Sequence, residues 1–307
     1  MDHHRIRPHL LRAAPSDPSV ARTLRRRHAS GHLVRIRSGV YIDSREWEAL
    51  GEVGQHLARA RAVAPTLPDG VAFSHLTAAL IHGWPLIGPA PDRVHVVDPG
   101  TPGVVHRSGL VRHHADDLDV GEVHFDGVAV TVPLRAAVQV ATTTVPQVAA
   151  VAIDHAVRSG VIEVPALVAA LPDPPARGSR RSRLVASALH PAHESAGESY
   201  AAIRMAEVGL PNAIPQQEFR LPDGSLVRVD FWIPELGVVI EFDGKQKYVD
   251  PSMLHGQDPT EVLWREKRRE DQLRIFPEVR AVIRVIWWDL VELDRFRAAL
   301  RLHGLRV

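Results

Sequence analysis

Two apolar segments near the C-terminus carry carboxylates, and this pattern constrains the fold more than any other part of the chain. LVRVDFWI and VVIEFDG are separated by the turn PELG, which predicts two antiparallel strands. Side chains alternate across a strand, so Glu241 and Asp243 share one face and Asp230 on the partner strand can lie opposite them. Lys245 keeps the same parity if the strand continues. The sequence therefore predicts a cluster of three carboxylates and a lysine on one sheet.

Carboxylates in such a setting indicate a cation between them. Like charges beside an apolar strand repel one another and lose hydration, so their ionised forms are unfavourable unless a positive charge shares the site. Mg²⁺ takes oxygen ligands and completes its shell with water and phosphate oxygens. We expect Asp230 and Glu241 to bind Mg²⁺ or Mn²⁺, with Asp243 binding directly or through water. The alternative is a solvated hairpin with acids on its exposed face, but the apolar run around the acids favours a covered strand.

The neighbouring segments predict a mixed α/β domain around these strands. ESAGESYAAIRMAEVGL has helical apolar spacing, and Glu198 lies in its first turns, where a carboxylate is favoured by the helix dipole. QQEFRL adds a third strand to the meander, WREKRREDQLRIF predicts a charged helix, and AVIRVIWWDL predicts a last apolar strand. The predicted order is helix, three strands, helix, strand.

The N-terminal segment is rich in arginine. Residues 1–45 contain ten arginines against three aspartates, a local excess of +7 in a chain whose formal net charge is +1. SVARTLRRRHASGHL predicts a helix carrying Arg25, Arg26 and Arg27, and LVRIRSGVYI predicts a hairpin with Arg35 and Arg37 on one strand face. This order is typical of a winged helix, in which a helix enters a DNA groove and a basic wing contacts phosphates. Arginine-rich composition without a binding role is the alternative.

The middle of the chain alternates between strand and helix patterns. VAFSHLTAALIHGW predicts a capped helix starting near Ser74, and LRAAVQVATT and VAAVAIDHAVRSG predict further helices. DRVHVVDPG, GLVRHHADD and GVAVTVP predict strands. The histidines of this region lack a metal-ligand spacing, so we expect scattered structural or surface residues. They are His75, His82, His106, His113 and His114.

These patterns predict several domains of mixed α/β class. The prolines at 172, 174 and 175 mark a break that is followed by an arginine-rich stretch. The predicted divisions are a winged-helix-like DNA-binding domain at 1–65, an α/β middle domain at 66–172, a basic linker or helix at 173–193, and a C-terminal domain at 194–307 with a mixed sheet flanked by helices.

Composition excludes several classes of protein. No apolar run approaches the roughly 20 residues of a membrane helix, and the basic N-terminus lacks the apolar core of a secretory signal. We therefore expect a cytoplasmic protein without a membrane partner. The absence of cysteine excludes disulfides, thiolate nucleophiles and cysteine-based zinc sites, so any metal must bind through oxygen or imidazole.

Residues 194–291 resemble a nuclease family. The segments ESAGES, GLPNAIPQQEF, RVDFWIPE, VVIEFDGKQK, EKRREDQLR and VIRVIWWDL are similar to the very-short-patch-repair-like (Vsr-like) domain of the PD-(D/E)XK superfamily. The resemblance implies a restriction-endonuclease-like fold and metal-dependent phosphodiester cleavage. It also implies that Asp230, Glu241 and Asp243 lie at the metal and that the preceding helix contributes Glu198.

The chain departs from this family pattern at one position. Lys247 stands where relatives usually have a histidine after the Asp-Gly pair. Lys245 is the first candidate for assisting the attacking water, and Gln246 and Lys247 are alternatives.

Residues 20–160 resemble a second family. GHLVRIRSGVYI, AFSHLTAALIHGW and VTVPLRAAVQVA are similar to type IV abortive-infection (AbiEi-like) antitoxins, which implies DNA binding in phage defence or transcription. The leading hypothesis is thus a metal-dependent DNA endonuclease that a winged helix directs to its target, in phage defence or DNA repair. The alternatives are a non-catalytic DNA-binding regulator or antitoxin, and a nuclease for RNA or for branched or mismatched DNA. A homodimer and a toxin or defence-system partner are compatible with either class.

Overall fold

The computed structural model describes residues 7–13, 16–244 and 272–307, and it shows a mixed α/β protein. The chain divides into two compact units. Within the described ranges, the first unit extends to Ala156 and includes Val161–Ser182, and the second contains Val157–Gly160 and the residues from Arg183 onward. None of the helices in these ranges is both long and apolar enough to cross a membrane.

The helices and strands are numbered here along the chain. In order they are β1 (Leu11–Arg12), α1 (Pro18–Ala29), β2 (Leu33–Arg37), β3 (Val40–Asp43), α2 (Ser44–Ala49), α3 (Gly51–Val63), β4 (Ala72–Phe73), α4 (His75–Ile81), β5 (Val94–Val97), β6 (Val104–Arg107), β7 (Leu110–His113), β8 (Val120–Phe125), β9 (Val128–Thr131), α5 (Pro133–Thr143), α6 (Pro146–Arg158), α7 (Val164–Ala170), α8 (Ser179–Ser187), α9 (Ala196–Glu207), β10 (Ile214–Arg220), β11 (Leu226–Ile233), β12 (Val238–Asp243), β13 (Ala281–Ile286), α10 (Trp287–Val291) and α11 (Leu293–Leu302).

A three-stranded sheet of order β1-β3-β2 packs with α1 in the N-terminal segment. Asp17 caps α1 by accepting hydrogen bonds from the backbone N–H groups of Ser19 and Val20. Pro18 occupies the first turn of the helix, where a backbone N–H has no helical acceptor, so its lack of an N–H costs no hydrogen bond. Leu24 is the buried residue of α1, and it packs with Leu33 and Tyr41. The helix and the hairpin predicted for this segment are confirmed.

A six-stranded mixed sheet follows, with the order β6-β7-β5-β4-β9-β8. β5 pairs with β7 and β4 with β9 in parallel, and the remaining neighbours are antiparallel. The predicted strands β5, β7 and β9 and the predicted helices α4, α5 and α6 are present. Sequence patterns do not predict β4, β6 and β8, because β4 has two residues and β6 and β8 expose almost every side chain.

Three histidines meet at this sheet. His75 begins α4, His95 lies on β5 and His113 ends β7, and their ligand atoms all lie within 4.8 Å of one another. The expectation of scattered histidines is therefore wrong for His75 and His113. The physical reason is that β5 pairs with both β4 and β7, which brings together side chains from three separate segments.

The second unit contains a four-stranded sheet of order β10-β11-β12-β13. β10, β11 and β12 form the predicted antiparallel meander, and β13 pairs with β12 in parallel. Val229, Trp232 and Val239 belong to one buried core cluster of this unit. The predicted charged helix over residues 264–276 lies mostly outside the described residues.

The last predicted strand ends earlier than its apolar sequence indicates. β13 stops at Ile286, and Trp287 begins the short helix α10. The carboxylate of Asp289 accepts a hydrogen bond from the backbone N–H of Ile286 at 3.0 Å. This local bond satisfies a backbone donor at the helix start, so it favours a helix where strand propensity alone predicts a continuing strand.

Candidate active site

Strand alternation places two of the predicted acids on one face of the second unit's sheet. Glu241 and Asp243 lie two residues apart on β12, so their side chains share a face. The paired register of β11 and β12 ends with Phe231 opposite Ile240, and Asp230 lies one residue before that last pair. All three acids, called here the acid cluster, are half-buried beside the buried residues of both strands. The cluster therefore lies where an apolar sheet surface meets solvent.

Asp230 is held by a hydrogen bond from the neighbouring strand. Its Oδ2 accepts from the backbone N–H of Phe242 at 2.8 Å. The paired register of the two strands extends to Phe231 and Ile240, so beyond that point a side chain of β11 bonds the backbone of β12. Because Phe242 lies between Glu241 and Asp243 in the chain, this bond ties the Asp230 carboxylate to the backbone segment that carries both acids.

Glu198 is buried, with 6% of its surface exposed, and it is fully engaged by protein donors. Its carboxylate accepts hydrogen bonds from the Glu194 N–H at 2.9 Å, from Ser195 Oγ at 2.7 Å and from Gln216 Nε2 at 2.8 Å. Ser195 Oγ in turn accepts from the Glu198 N–H at 3.2 Å, so the pair caps α9. The carboxylate thus fixes the start of the helix and positions Gln216 without needing a cation.

Gln216 joins this cap to the acid cluster. It lies between the register positions Pro215–Phe231 and Gln217–Val229, which places it opposite Asp230. Its φ of 55° is in the left-handed region, which is uncommon for a residue with a side chain and occurs where surrounding contacts enforce it. Gln216 and Asp230 line one cleft of about 440 Å³. Sequence patterns alone do not single out Gln216, because its neighbours in QQEF are equally polar.

Two arginines supply positive charge near the acids. Arg284 on β13 is the register partner of Glu241, so a guanidinium and a carboxylate lie on the same face of adjacent strands. Arg228 lines the cleft with Asp230, and its Nη2 lies 3.0 Å from Oε1 of Glu194. The Arg228 pair is half-exposed, so water screens it and it adds little to stability. Neither Arg228 nor Arg284 is among the site residues that the sequence predicts.

The donor set of the acid cluster fits a hard divalent ion in its chemistry. It offers only carboxylate oxygens, and Mg²⁺ requires one or two of these when water and phosphate oxygens complete the shell. Within the described ranges, three ligand atoms come within 4.8 Å of one another only at the histidine group, so the carboxylates of Asp230, Glu241 and Asp243 do not converge to that distance. Lys245 lies outside the described residues.

The predicted DNA-binding arginines divide into two groups. The arginines at residues 25–27 of α1 and Arg35 on β2 are exposed. A bulge separates Arg35 from Arg37, whose guanidinium donates to Thr66 Oγ1 at 2.9 Å. Burial, and then the nearby charge of Arg12, lower the pKa of Arg37 from its ordinary value. Arg37 therefore packs against its own unit, and the exposed arginines form the surface that can meet phosphates.

Comparison with known proteins adds no assignment. No protein-family model matches the chain, and no curated protein or solved structure is significantly similar to it. The functional interpretation therefore depends on the acid cluster, its surroundings and the motifs in the sequence.

Proposed function

We propose that the second unit is a Mg²⁺- or Mn²⁺-dependent DNA endonuclease and that the exposed N-terminal arginines bind the DNA backbone. The observation that carries the proposal is the hydrogen bond from the Phe242 N–H to Asp230, because it ties this carboxylate to the backbone between Glu241 and Asp243. The resemblance to Vsr-like nucleases assigns the same three acids to a metal. Phage defence and DNA repair are the expected settings.

Each group of the chain has a task in this proposal. Asp230 and Glu241 would hold the ion, and Asp243 would hold it directly or through water. When bound, a divalent ion makes a coordinated water more acidic and neutralises charge on the phosphoryl oxygens. Glu198 holds Gln216 at the cleft, and Arg228 attracts the phosphate backbone there. Lys245 is assigned to the attacking water because its sequence position follows the acids.

Nicking of supercoiled plasmid tests the proposal. The full chain is incubated with plasmid and Mg²⁺ or Mn²⁺, and parallel samples contain EDTA. We expect metal-dependent nicking that EDTA abolishes. Asp230→Asn removes the charge and nearly preserves the shape, and we expect a loss of about 100-fold, equivalent to about 3 kcal/mol of transition-state stabilisation. Glu241→Gln is expected to have an effect of similar size.

A matched control lies on the same sheet. Glu218 on β10 is exposed, and Glu218→Gln removes one negative charge without touching the acid cluster. This variant should nick plasmid like the parent chain. Unchanged metal-dependent nicking in Asp230→Asn would exclude the proposed assignment.

One observation favours a non-catalytic DNA-binding regulator as the second candidate. Glu241 has Arg284 as its register partner, so the protein itself can supply a countercharge to the acid. This candidate predicts salt-sensitive and sequence-selective DNA binding without cleavage in any divalent metal. Binding should then fall in Arg35→Gln and remain unchanged in Asp230→Asn, as measured by gel shift at several salt concentrations.

A further inference from the structure

The histidine group of the first unit consists of His75, His95 and His113. Nδ1 of His95 and Nε2 of His113 are 3.0 Å apart. The rings of His75 and His113 are stacked with centroids 3.7 Å apart, and the His75 and His95 centroids are 5.5 Å apart. Three imidazoles from three separate segments therefore converge on one point of the six-stranded sheet.

Burial keeps these imidazoles neutral. Burial, followed by repulsion from the neighbouring imidazoles, lowers the pKa of His95 to about 3 and that of His75 well below its ordinary value. Burial and then His106 lower the pKa of His113 to about 4. A neutral imidazole carries one nitrogen lone pair, and this is the form that binds a metal.

Hydrogen bonds orient the three residues. Nδ1 of His75 is 2.9 Å from Ser74 Oγ, which leaves Nε2 as its candidate ligand atom. The backbone N–H of His75 donates to Gln139 Oε1 at 2.9 Å, and the backbone N–H of His95 donates to Thr77 Oγ1 at 2.9 Å. His75 has a φ of 53°, in the left-handed region. Neighbouring groups thus hold a strained backbone that directs His75 toward the other two rings.

The composition of the group selects a class of metal. All three ligands are imidazole nitrogens, and the carboxylate that directly follows β5, Asp98, is engaged by Arg112 at 2.5 Å and by Thr101 at 2.9 Å. Imidazole suits zinc, copper, nickel and iron, whereas magnesium requires oxygen. Zinc–nitrogen bonds of about 2.0–2.1 Å in a tetrahedron separate the nitrogens by about 3.4 Å. The His95–His113 distance would therefore open slightly, and the His75 ring would rotate out of its stack.

We propose that Nε2 of His75, Nδ1 of His95 and Nε2 of His113 form a binding site for one zinc-class divalent transition metal ion in the first unit. Three protein ligands leave a fourth position for water or another ligand. The site is separate from the acid cluster, and the proposal stands whether or not the second unit cleaves DNA.

Cobalt(II) binding tests the proposal, because four-coordinate cobalt absorbs strongly in the visible range and replaces zinc at nitrogen sites. The full chain is treated with EDTA, freed of chelator and titrated with Co²⁺ near neutral pH. We expect saturation at one ion per chain in both the parent and Asp230→Asn, which separates this site from the acid cluster. In His95→Gln and in His113→Gln, the affinity should fall at least about 100-fold.

The matched control is His124, an exposed histidine of the same sheet. His124→Gln should bind Co²⁺ like the parent. X-ray absorption of the zinc-loaded parent needs no variant, and it should show a nitrogen and oxygen shell with scattering from at least two imidazoles. The proposal is overturned if no ion binds, if Asp230→Asn abolishes the visible absorption, or if both ligand variants retain parental affinity.

Discussion

Gly197 in α9 leaves space for the ring of Phe242, and we expect Gly197→Ala to destabilise the second unit. A Cβ at residue 197 would overlap Cε1, Cζ and Cδ1 of that ring. The ring is not free to move aside, because Trp287 packs edge-on against it with centroids 5.1 Å apart and Tyr200 packs against Trp287 at 5.7 Å. Either α9 must separate from β12 or the aromatic side chains must repack.

Two opposing contributions set the size of the effect. Overpacking in a core of this kind typically destabilises by about 1–3 kcal/mol. Replacing glycine with alanine in a helix interior stabilises by up to about 1 kcal/mol, and Gly197 lies in the first turn of α9, where the gain is smaller. We therefore expect the free energy of unfolding to fall by about 1–2 kcal/mol. Because the Phe242 N–H holds Asp230, the change should also loosen the acid cluster.

Urea unfolding of the full chain, followed by tryptophan fluorescence, measures this change. Hydrogen-exchange mass spectrometry localises it, and protection should fall in peptides from α9 and β12. Phe242→Leu provides the control, because it removes the ring that the new Cβ would meet. A double-mutant cycle of these two changes should give a coupling energy of about 1 kcal/mol. The close approach of α9 and β12 would be refuted if Gly197→Ala were as stable as the parent chain. It would also be refuted if Gly197→Ala lowered the free energy of unfolding equally in the parent chain and in Phe242→Leu.

Two further predictions concern the first unit. Burial lowers the pKa of His56 to about 4, so below about pH 6.5 the unfolded chain binds a proton that the folded chain cannot. The free energy of unfolding should therefore fall with decreasing pH. In urea titrations between pH 6.5 and 5, His56→Gln should reduce this pH dependence by up to about 1.4 kcal/mol per pH unit. The same pH dependence in the variant and the parent would contradict this. Arg61, whose side chain is 7% exposed, pairs with Asp126, so Asp126→Asn removes the carboxylate that balances a buried cation. Asp126→Asn should lower the free energy of unfolding by about 3 kcal/mol, and this loss should exceed that in Arg61→Met. If thermal unfolding shows a larger loss in Arg61→Met, the pair is not effectively buried.

Local sequence patterns predicted most elements of the fold. Alternating apolar residues and the turn residues of PELG predicted the meander of β10, β11 and β12, and helical spacing predicted α4, α5, α6 and α9. They overextended β13, because a carboxylate at Asp289 starts a helix where strand propensity is high. The shared face of Glu241 and Asp243 follows from strand parity, whereas Asp230 lies outside the paired register and bonds the backbone of Phe242.

The bonds within the site could not be predicted in the same way. Glu198 has the sequence position of a helix-start acid, but only the packing of β10 against α9 shows that Gln216 completes its hydrogen bonds. The bulge in β2 similarly moves Arg37 into contact with Thr66, although strand alternation alone predicts that it faces the same way as Arg35.

The sequence by itself determined the elements, the mixed α/β class and the strand face that carries the acids, because these depend on periodicity and turns over a few neighbouring residues. Only the tertiary structure decided that His75, His95 and His113 meet, because their approach depends on the pairing of β5 with both β4 and β7. Strand order joins residues that are distant along the chain, and no local pattern encodes which strands become neighbours.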